Sequence, residues 1–137
     1  MSPRVLIVDD GPALRRTLAR VLESLEYEVL TAGDPHLAYS MLDEADIDLV
    51  LLDVHLPQMS GALLYLALVR RWPRLRGRII LMTGDLCAME EGWPAELLGC
   101  PLLLKPFTLS LLAETVRNAL LDTGYGGGGQ RASNGPA

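Results

Sequence analysis

Five side chains with reactive or charged groups stand directly after short apolar runs of the sequence. They are Asp9, Asp10, Asp53, Thr83 and Lys105. If the apolar runs are parallel strands of one sheet, their carboxyl ends lie at one edge, where open α/β sheets bind ligands. We therefore expect three carboxylates, a hydroxyl and an ammonium group to converge within a few ångströms.

This predicted cluster needs neutralising charge. Two carboxylates 4 Å apart repel each other by about 4 kcal/mol at an effective dielectric constant near 20. The ammonium of Lys105 supplies part of the counter-charge. Mg²⁺ suits the remainder, because it binds two or three carboxylates together with waters and a phosphate oxygen. The alternative is that these five groups are solvated strand ends without a shared role. That alternative accounts poorly for the occurrence of all five at matched positions.

The segments that must hold these groups alternate between two hydrophobic patterns. Short apolar runs predict strands at residues 5–8, 28–32, 49–53, 78–83 and 102–104. Amphipathic helices are predicted over residues 14–25, 35–43 and 60–71 and after Thr108, with Ser60 and Thr108 as N-caps. Because Pro94 would break a continuous helix, a short helix is expected from residue 86 to about residue 91, followed by a separate turn over residues 94–98. The alternation predicts an α/β fold, with helices on both faces of a parallel sheet.

Composition limits the classes of function. At 137 residues the chain is one domain with a real core, and its net charge of −5 argues weakly against a nucleic-acid partner. Cys87 and Cys100 lack metal-ligand spacing and suggest a reducing compartment, the cytoplasm. The longest apolar run, residues 63–69, is too short to cross a membrane. The helix that contains it has almost no polar face, which leaves a patch for homodimer formation.

Four motifs occupy the ends of the predicted strands. They read Val-Leu-Ile-Val-Asp-Asp at 5–10, Leu-Leu-Asp-Val-His-Leu-Pro-Gln-Met-Ser-Gly at 51–61, Met-Thr-Gly-Asp at 82–85 and Leu-Lys-Pro-Phe at 104–107. In this order and at these separations they closely resemble the receiver domain of bacterial two-component response regulators, of the single-domain chemotaxis type. A receiver domain at 1–123 is then followed by a flexible Gly-rich tail or linker at 124–137.

The resemblance implies a fold and a set of site residues. The fold is a flavodoxin-like, doubly wound five-stranded parallel sheet of order 2-1-3-4-5. Asp53 is then the phosphoacceptor. The implied Mg²⁺ ligands are Asp9, Asp10, Asp53 and the backbone carbonyl of His55. Thr83 and Lys105 bind oxygens of the phosphoryl group, and the bond between Lys105 and Pro106 is a candidate cis peptide.

The implied function is that of a signalling module. Asp53 takes a phosphoryl group from a phosphohistidine on a sensor histidine kinase or a histidine phosphotransfer protein, in a Mg²⁺-dependent phosphorelay. The signal then leaves through protein–protein contact in the cytoplasm, with no nucleic acid and no membrane. Such a chain is a phosphoacceptor that assists its own phosphorylation and dephosphorylation, and it is not an enzyme that acts on a separate substrate.

Three other classes remain open from the residues alone. A pseudo-receiver would bind a partner regardless of phosphorylation, although Asp53, Thr83 and Lys105 are all present. A haloacid-dehalogenase-like phosphatase needs a second Asp two residues after its nucleophile, where this chain has His55. A flavodoxin needs a hydroxyl- and Gly-rich loop after the first strand, where residues 9–12 read Asp-Asp-Gly-Pro. The module is either free-standing or part of a longer chain such as a hybrid kinase.

Three positions depart from the receiver pattern or need a separate interpretation. Gly11 stands where the family commonly has a third acid, so the metal site carries less negative charge. Leu102 replaces the Tyr or Phe that many members carry three residues before the Lys, which makes it an output-face candidate in an atypical switch. The side chain of His55 is expected to face solvent rather than to bind the metal.

Overall fold

The strands and helices follow the alternating hydrophobic pattern of the sequence. The computed structural model describes residues 2–84 and 99–122. Its strands are β1 Arg4–Val8, β2 Glu28–Ala32, β3 Leu49–Asp53, β4 Ile79–Thr83 and β5 Leu102–Leu104. Its helices are α1 Pro12–Ser24, α2 Pro35–Glu44, α3 Gly61–Arg71 and α4 Leu109–Asp122, with a short 3₁₀ turn at Pro73–Leu75. The short helix and the turn predicted within residues 86–98, and the tail predicted at 124–137, lie outside the described residues.

All neighbouring strands in the sheet are parallel, and their order is β2-β1-β3-β4-β5. The predicted flavodoxin-like fold class is therefore confirmed. Strands β1, β3 and β4 lie in the interior of the sheet, and every residue of β3 and β4 is buried. Their alternate side chains enter two separate hydrophobic clusters, one on each face of the sheet. Burial on both faces explains why β3 and β4 contain no polar residue before their last positions.

Polar side chains cap three of the described helices. Ser60 and Thr108, the two N-caps predicted from the sequence, accept hydrogen bonds from the backbone N–H three residues further on, at 3.1 and 3.0 Å. Asp34 caps α2 in the same way at 2.9 Å. Helix α1 begins at Pro12, because the fixed φ of proline suits the first helical position.

The loop between β3 and α3 is closed tightly on itself. The backbone N–H of Gly61 donates to the carbonyl of Val54 at 2.9 Å, and His55 and Ser60 form an antiparallel bridge. A Cβ atom on Gly61 would lie 2.3 Å from the Cα of Val54, so this approach requires glycine. The closed loop determines where His55 lies relative to Asp53.

Helix α3 is apolar on nearly all sides. Leu64, Tyr65, Leu68 and Val69 pack in the core, whereas Leu63 is 59% exposed. Homodimer formation through this helix stays a prediction. Within residues 2–84 and 99–122, every helix falls short of the length and apolar character that a membrane span requires.

Candidate functional site

Three interior strands bring the predicted reactive groups to one edge of the sheet. Asp9 follows β1, Asp53 is the last residue of β3 and Thr83 is the last residue of β4. Thr83 is fully buried, and Asp9 and Asp53 are only 2% and 4% exposed. Lys105 follows β5, and its backbone N–H donates to the carbonyl of Thr83 at 2.7 Å. This bond ties Lys105 to the end of β4.

The three carboxylates and the ammonium group form one cluster. Asp9, Asp10 and Asp53 each offer an oxygen, and these oxygens lie within 4.8 Å of one another. The Nζ atom of Lys105 lies 2.9 Å from Oδ2 of Asp9 and 3.5 Å from Oδ2 of Asp53. Three carboxylates against one ammonium leave an excess of two negative charges in the cluster.

Backbone N–H groups hold the two buried carboxylates in place. The N–H of Gly11 donates to Oδ1 of Asp9 at 2.8 Å, and the N–H of His55 donates to Oδ1 of Asp53 at 2.9 Å. Each carboxylate therefore has one oxygen bonded to the turn that follows its strand. The other oxygen of each faces Lys105.

Arg15 binds the backbone at Asp9, a contact that the sequence did not predict. Its Nη1 donates to the backbone carbonyl of Asp9 at 2.7 Å. Gly33, after β2, leaves room for this guanidinium, since a Cβ atom there would lie 2.9 Å from Nη1 of Arg15. Helical periodicity places Arg15 on a polar face, and no further signal in the sequence marks it.

Burial raises the pKa of Asp53 above its ordinary value of 3.8, because the charged form loses hydration. The neighbouring charges of Asp9 and Asp10 raise this pKa further. The hydrogen bond from the N–H of His55 and the charge of Lys105 lower the pKa, but they do not outweigh burial. In the metal-free protein, the ionised form of Asp53 is therefore less stable in the fold than in water.

The imidazole of His55 makes a contact that the sequence did not predict. His55 is exposed, as expected, yet its Nε2 lies 2.9 Å from Oγ1 of Thr83. The available signal was the position of His55 two residues after Asp53, at the edge where Thr83 also lies. The contact links the loop between β3 and α3 to the end of β4.

A comparison with family models identifies the class of protein. The model described as the response regulator receiver domain matches residues 5–117. The chain belongs to this family. A receiver domain is the phosphoacceptor module of two-component signalling, and the identification made from the sequence motifs is confirmed.

Relatives and solved structures agree with this identification. The receiver domain is 32% identical over 124 residues to the aerobic respiration control protein ArcA of Escherichia coli (strain K12), covering 89% of this chain and 50% of ArcA. It is 37% identical over 112 residues to the sensor histidine kinase RcsC of the same strain, covering 82% of this chain and 12% of RcsC. The chain thus spans half the length of ArcA and a small part of RcsC.

The fold also matches the response regulator protein TrrA of Thermotoga maritima in complex with Mg²⁺-BeF. That structure has 27% identity and a TM-score of 0.75, over 86% of this chain and 99% of TrrA. The donor set of our receiver domain fits the same kind of ion, since all the clustered donors are carboxylate oxygens, the ligands that Mg²⁺ prefers. A single divalent cation would balance the excess negative charge of the cluster.

Two further predicted positions lie in the last strand of the receiver domain and directly after it. Leu102 is half-buried in β5 and packs against the cluster that contains residues of α2 and α3. Its role in output stays a prediction. The peptide bond between Lys105 and Pro106 is cis, the form for which the sequence made it a candidate.

We expect the Gly11→Asp variant to bind Mg²⁺ about five- to tenfold more tightly than the wild-type receiver domain. The reason is that the substitution adds a carboxylate next to the carboxylate cluster. Gly11 has φ −85° and ψ 110°, which any residue adopts, and a new Cβ would lie 3.2 Å from Oδ1 of Asp9. Isothermal titration calorimetry with Mg²⁺ measures the affinity. Gly11→Asn has the same shape without the charge, so equal affinities of the two variants would contradict this prediction.

Proposed function

We propose that this receiver domain accepts a phosphoryl group on Asp53 from a phosphohistidine of a sensor histidine kinase or a histidine phosphotransfer protein. The supporting observation is the position of Lys105, whose Nζ lies 2.9 Å from Asp9 and 3.5 Å from Asp53 at the edge where three carboxylates meet. Such a site can neutralise the oxygens of an incoming phosphoryl group. Phosphoryl transfer depends mainly on that neutralisation and on positioning.

The proposed transfer is an exchange of one bond for another. An oxygen of Asp53 attacks phosphorus, the bond from phosphorus to the imidazole nitrogen of the donor breaks, and its electron pair returns to that nitrogen. Lys105 then pairs with one phosphoryl oxygen, and the hydroxyl of Thr83 donates to another. Bound Mg²⁺ would supply further charge neutralisation, and its proposed ligands are Asp9, Asp10, Asp53 and the backbone carbonyl of His55.

The remaining parts of the proposal concern the setting of the module. The receiver domain spans residues 1–123, and residues 124–137 are a tail or linker. The phosphorylated domain signals through protein–protein contact in the cytoplasm. These parts rest on the sequence motifs and on the class of kinase that donates to receiver domains.

The test is phosphorylation by acetyl phosphate in the presence of Mg²⁺, followed by intact-mass measurement. The wild-type chain is expected to gain one phosphoryl group, whereas the same chain in excess EDTA and the variant Asp53→Asn are expected to gain none. A wild-type chain that stays unmodified while a known receiver domain is modified in the same buffer would contradict the proposal. That outcome would favour a pseudo-receiver that binds its partner regardless of phosphorylation.

A further inference from the structure

His55 touches both the proposed phosphoacceptor and the end of the next strand. Its backbone N–H donates to Oδ1 of Asp53 at 2.9 Å, and its Nε2 lies 2.9 Å from Oγ1 of Thr83. The closed loop between Val54 and Gly61 holds His55 at this position. His55 therefore contacts the carboxylate of Asp53 and the hydroxyl of Thr83 through separate atoms.

The hydroxyl of Thr83 has a single proton to donate. Oxygens of a phosphoryl group on Asp53 accept hydrogen bonds, so Thr83 must direct its proton at them in the phosphorylated state. A hydroxyl that donates to Nε2 of His55 cannot donate to the phosphoryl group at the same time. Thr83 is fully buried, which makes a hydrogen-bonding partner for its hydroxyl valuable in either state.

We propose that His55 is a positioning residue that holds the Thr83 hydroxyl proton in the unphosphorylated receiver domain, in competition with the phosphoryl group on Asp53. This inference rests on the proposed function. In the unphosphorylated domain Nε2 is the bare, accepting nitrogen and Nδ1 carries the ring proton. On phosphorylation the bond from the hydroxyl to Nε2 breaks, a bond from the same hydroxyl to a phosphoryl oxygen forms, and the proton stays on Thr83.

The exposure of His55 allows this exchange. The residue lies in a surface loop, so its ring can rotate into solvent without opening the core. Breaking one neutral hydrogen bond opposes phosphoryl binding modestly. Removal of the imidazole should therefore strengthen binding of a phosphoryl analogue about two- to tenfold.

The experiment measures binding of beryllofluoride with Mg²⁺, a non-covalent probe for the phosphoryl site, to the full chain by calorimetry. His55→Ala is expected to bind the probe about two- to tenfold more tightly than wild type. In a Thr83→Val background, which removes the hydroxyl but keeps the shape, His55→Ala should have no effect. In a Thr83→Ser background the effect should return. His36→Ala, on exposed α2, is the matched control and should behave as wild type.

A spectroscopic readout tests the same bond directly. With nitrogen-15 labelled histidine, Nε2 of His55 should show the chemical shift of an unprotonated nitrogen in the free domain, and the shift should change on addition of the probe. An unchanged or weaker affinity of His55→Ala, or an equal gain in the Thr83→Val background, would overturn the inference. Failure of the wild-type chain to bind the probe at all would instead overturn the proposed function.

Discussion

Replacing Lys105 by methionine is expected to slow phosphorylation of Asp53 by acetyl phosphate by a factor of about 10²–10³. The ammonium lies between the carboxylates of Asp9 and Asp53, where the proposed transfer would place the negatively charged phosphoryl oxygens. Methionine keeps an unbranched side chain but removes the charge and all three N–H donors. The rate is followed as the phosphorylated fraction by intact mass, with Mg²⁺ and excess acetyl phosphate.

Two further variants separate local from general effects of charge. Arg117→Met removes one positive charge from the exposed side of α4 and is expected to react at the wild-type rate. Lys105→Arg keeps the charge in a different shape and is expected to react at an intermediate rate. Equal rates for Lys105→Met and Arg117→Met would show that the ammonium has no role in the transfer.

Replacing Asp53 by asparagine is expected to raise the free energy of unfolding of the metal-free protein at neutral pH. Burial and the charges of Asp9 and Asp10 raise the pKa of Asp53 because they disfavour its ionised form. Asparagine removes the buried charge and keeps nearly the same shape. For a domain of this size, each 1 kcal/mol raises the midpoint of thermal unfolding by about 4 °C.

The increase in the free energy of unfolding caused by Asp53→Asn is expected to depend on pH in a defined direction. Because the pKa of Asp53 is higher in the folded than in the unfolded protein, folding favours the protonated carboxyl. That stabilising contribution is complete below the ordinary value of 3.8 and is lost as the pH rises through the folded-state pKa. The difference in unfolding free energy between Asp53→Asn and wild type should therefore grow as the pH rises from about 4, and then level off.

Urea unfolding in EDTA at a series of pH values measures this difference. Asp43→Asn is the matched control, because Asp43 forms an exposed ion pair with Arg71 and such pairs contribute little. A difference that stays constant or shrinks with rising pH would contradict the prediction. Added Mg²⁺ at about 100 times its dissociation constant should stabilise the wild type by about 2.7 kcal/mol and the variant by less.

The sheet edge could be predicted from sequence because it depends on backbone topology. Uninterrupted apolar runs require strands buried on both faces, and parallel pairing then places Asp9, Asp53 and Thr83 at the same edge. These positions follow from strand pairing and do not depend on side-chain conformation. The N-caps at Ser60 and Thr108 were predictable for a similar reason, since each involves residues only three apart.

Contacts across loops could not be predicted in the same way. The hydrogen bond between His55 and Thr83 exists because Gly61 allows the β3–α3 loop to close against Val54. The support from Arg15 likewise requires both the path of α1 and the absence of a side chain at Gly33. Such contacts depend on distances between separate segments of the chain. Hydrophobic periodicity and motif spacing give no information about those distances.

Strand β5 is short and lies at the border of the sheet, yet Lys105, the cationic side chain of the site, directly follows it. It has three residues and, among the strands of residues 2–84 and 99–122, it pairs with β4 alone. Local opening of this strand would withdraw the ammonium of Lys105 and leave three carboxylates facing one another. Fraying of this border is therefore resisted by electrostatic attraction as well as by backbone bonds. Amide hydrogen exchange at residues 102–105 consequently reports the charge state of the carboxylate cluster, although none of these backbone amides is part of that cluster.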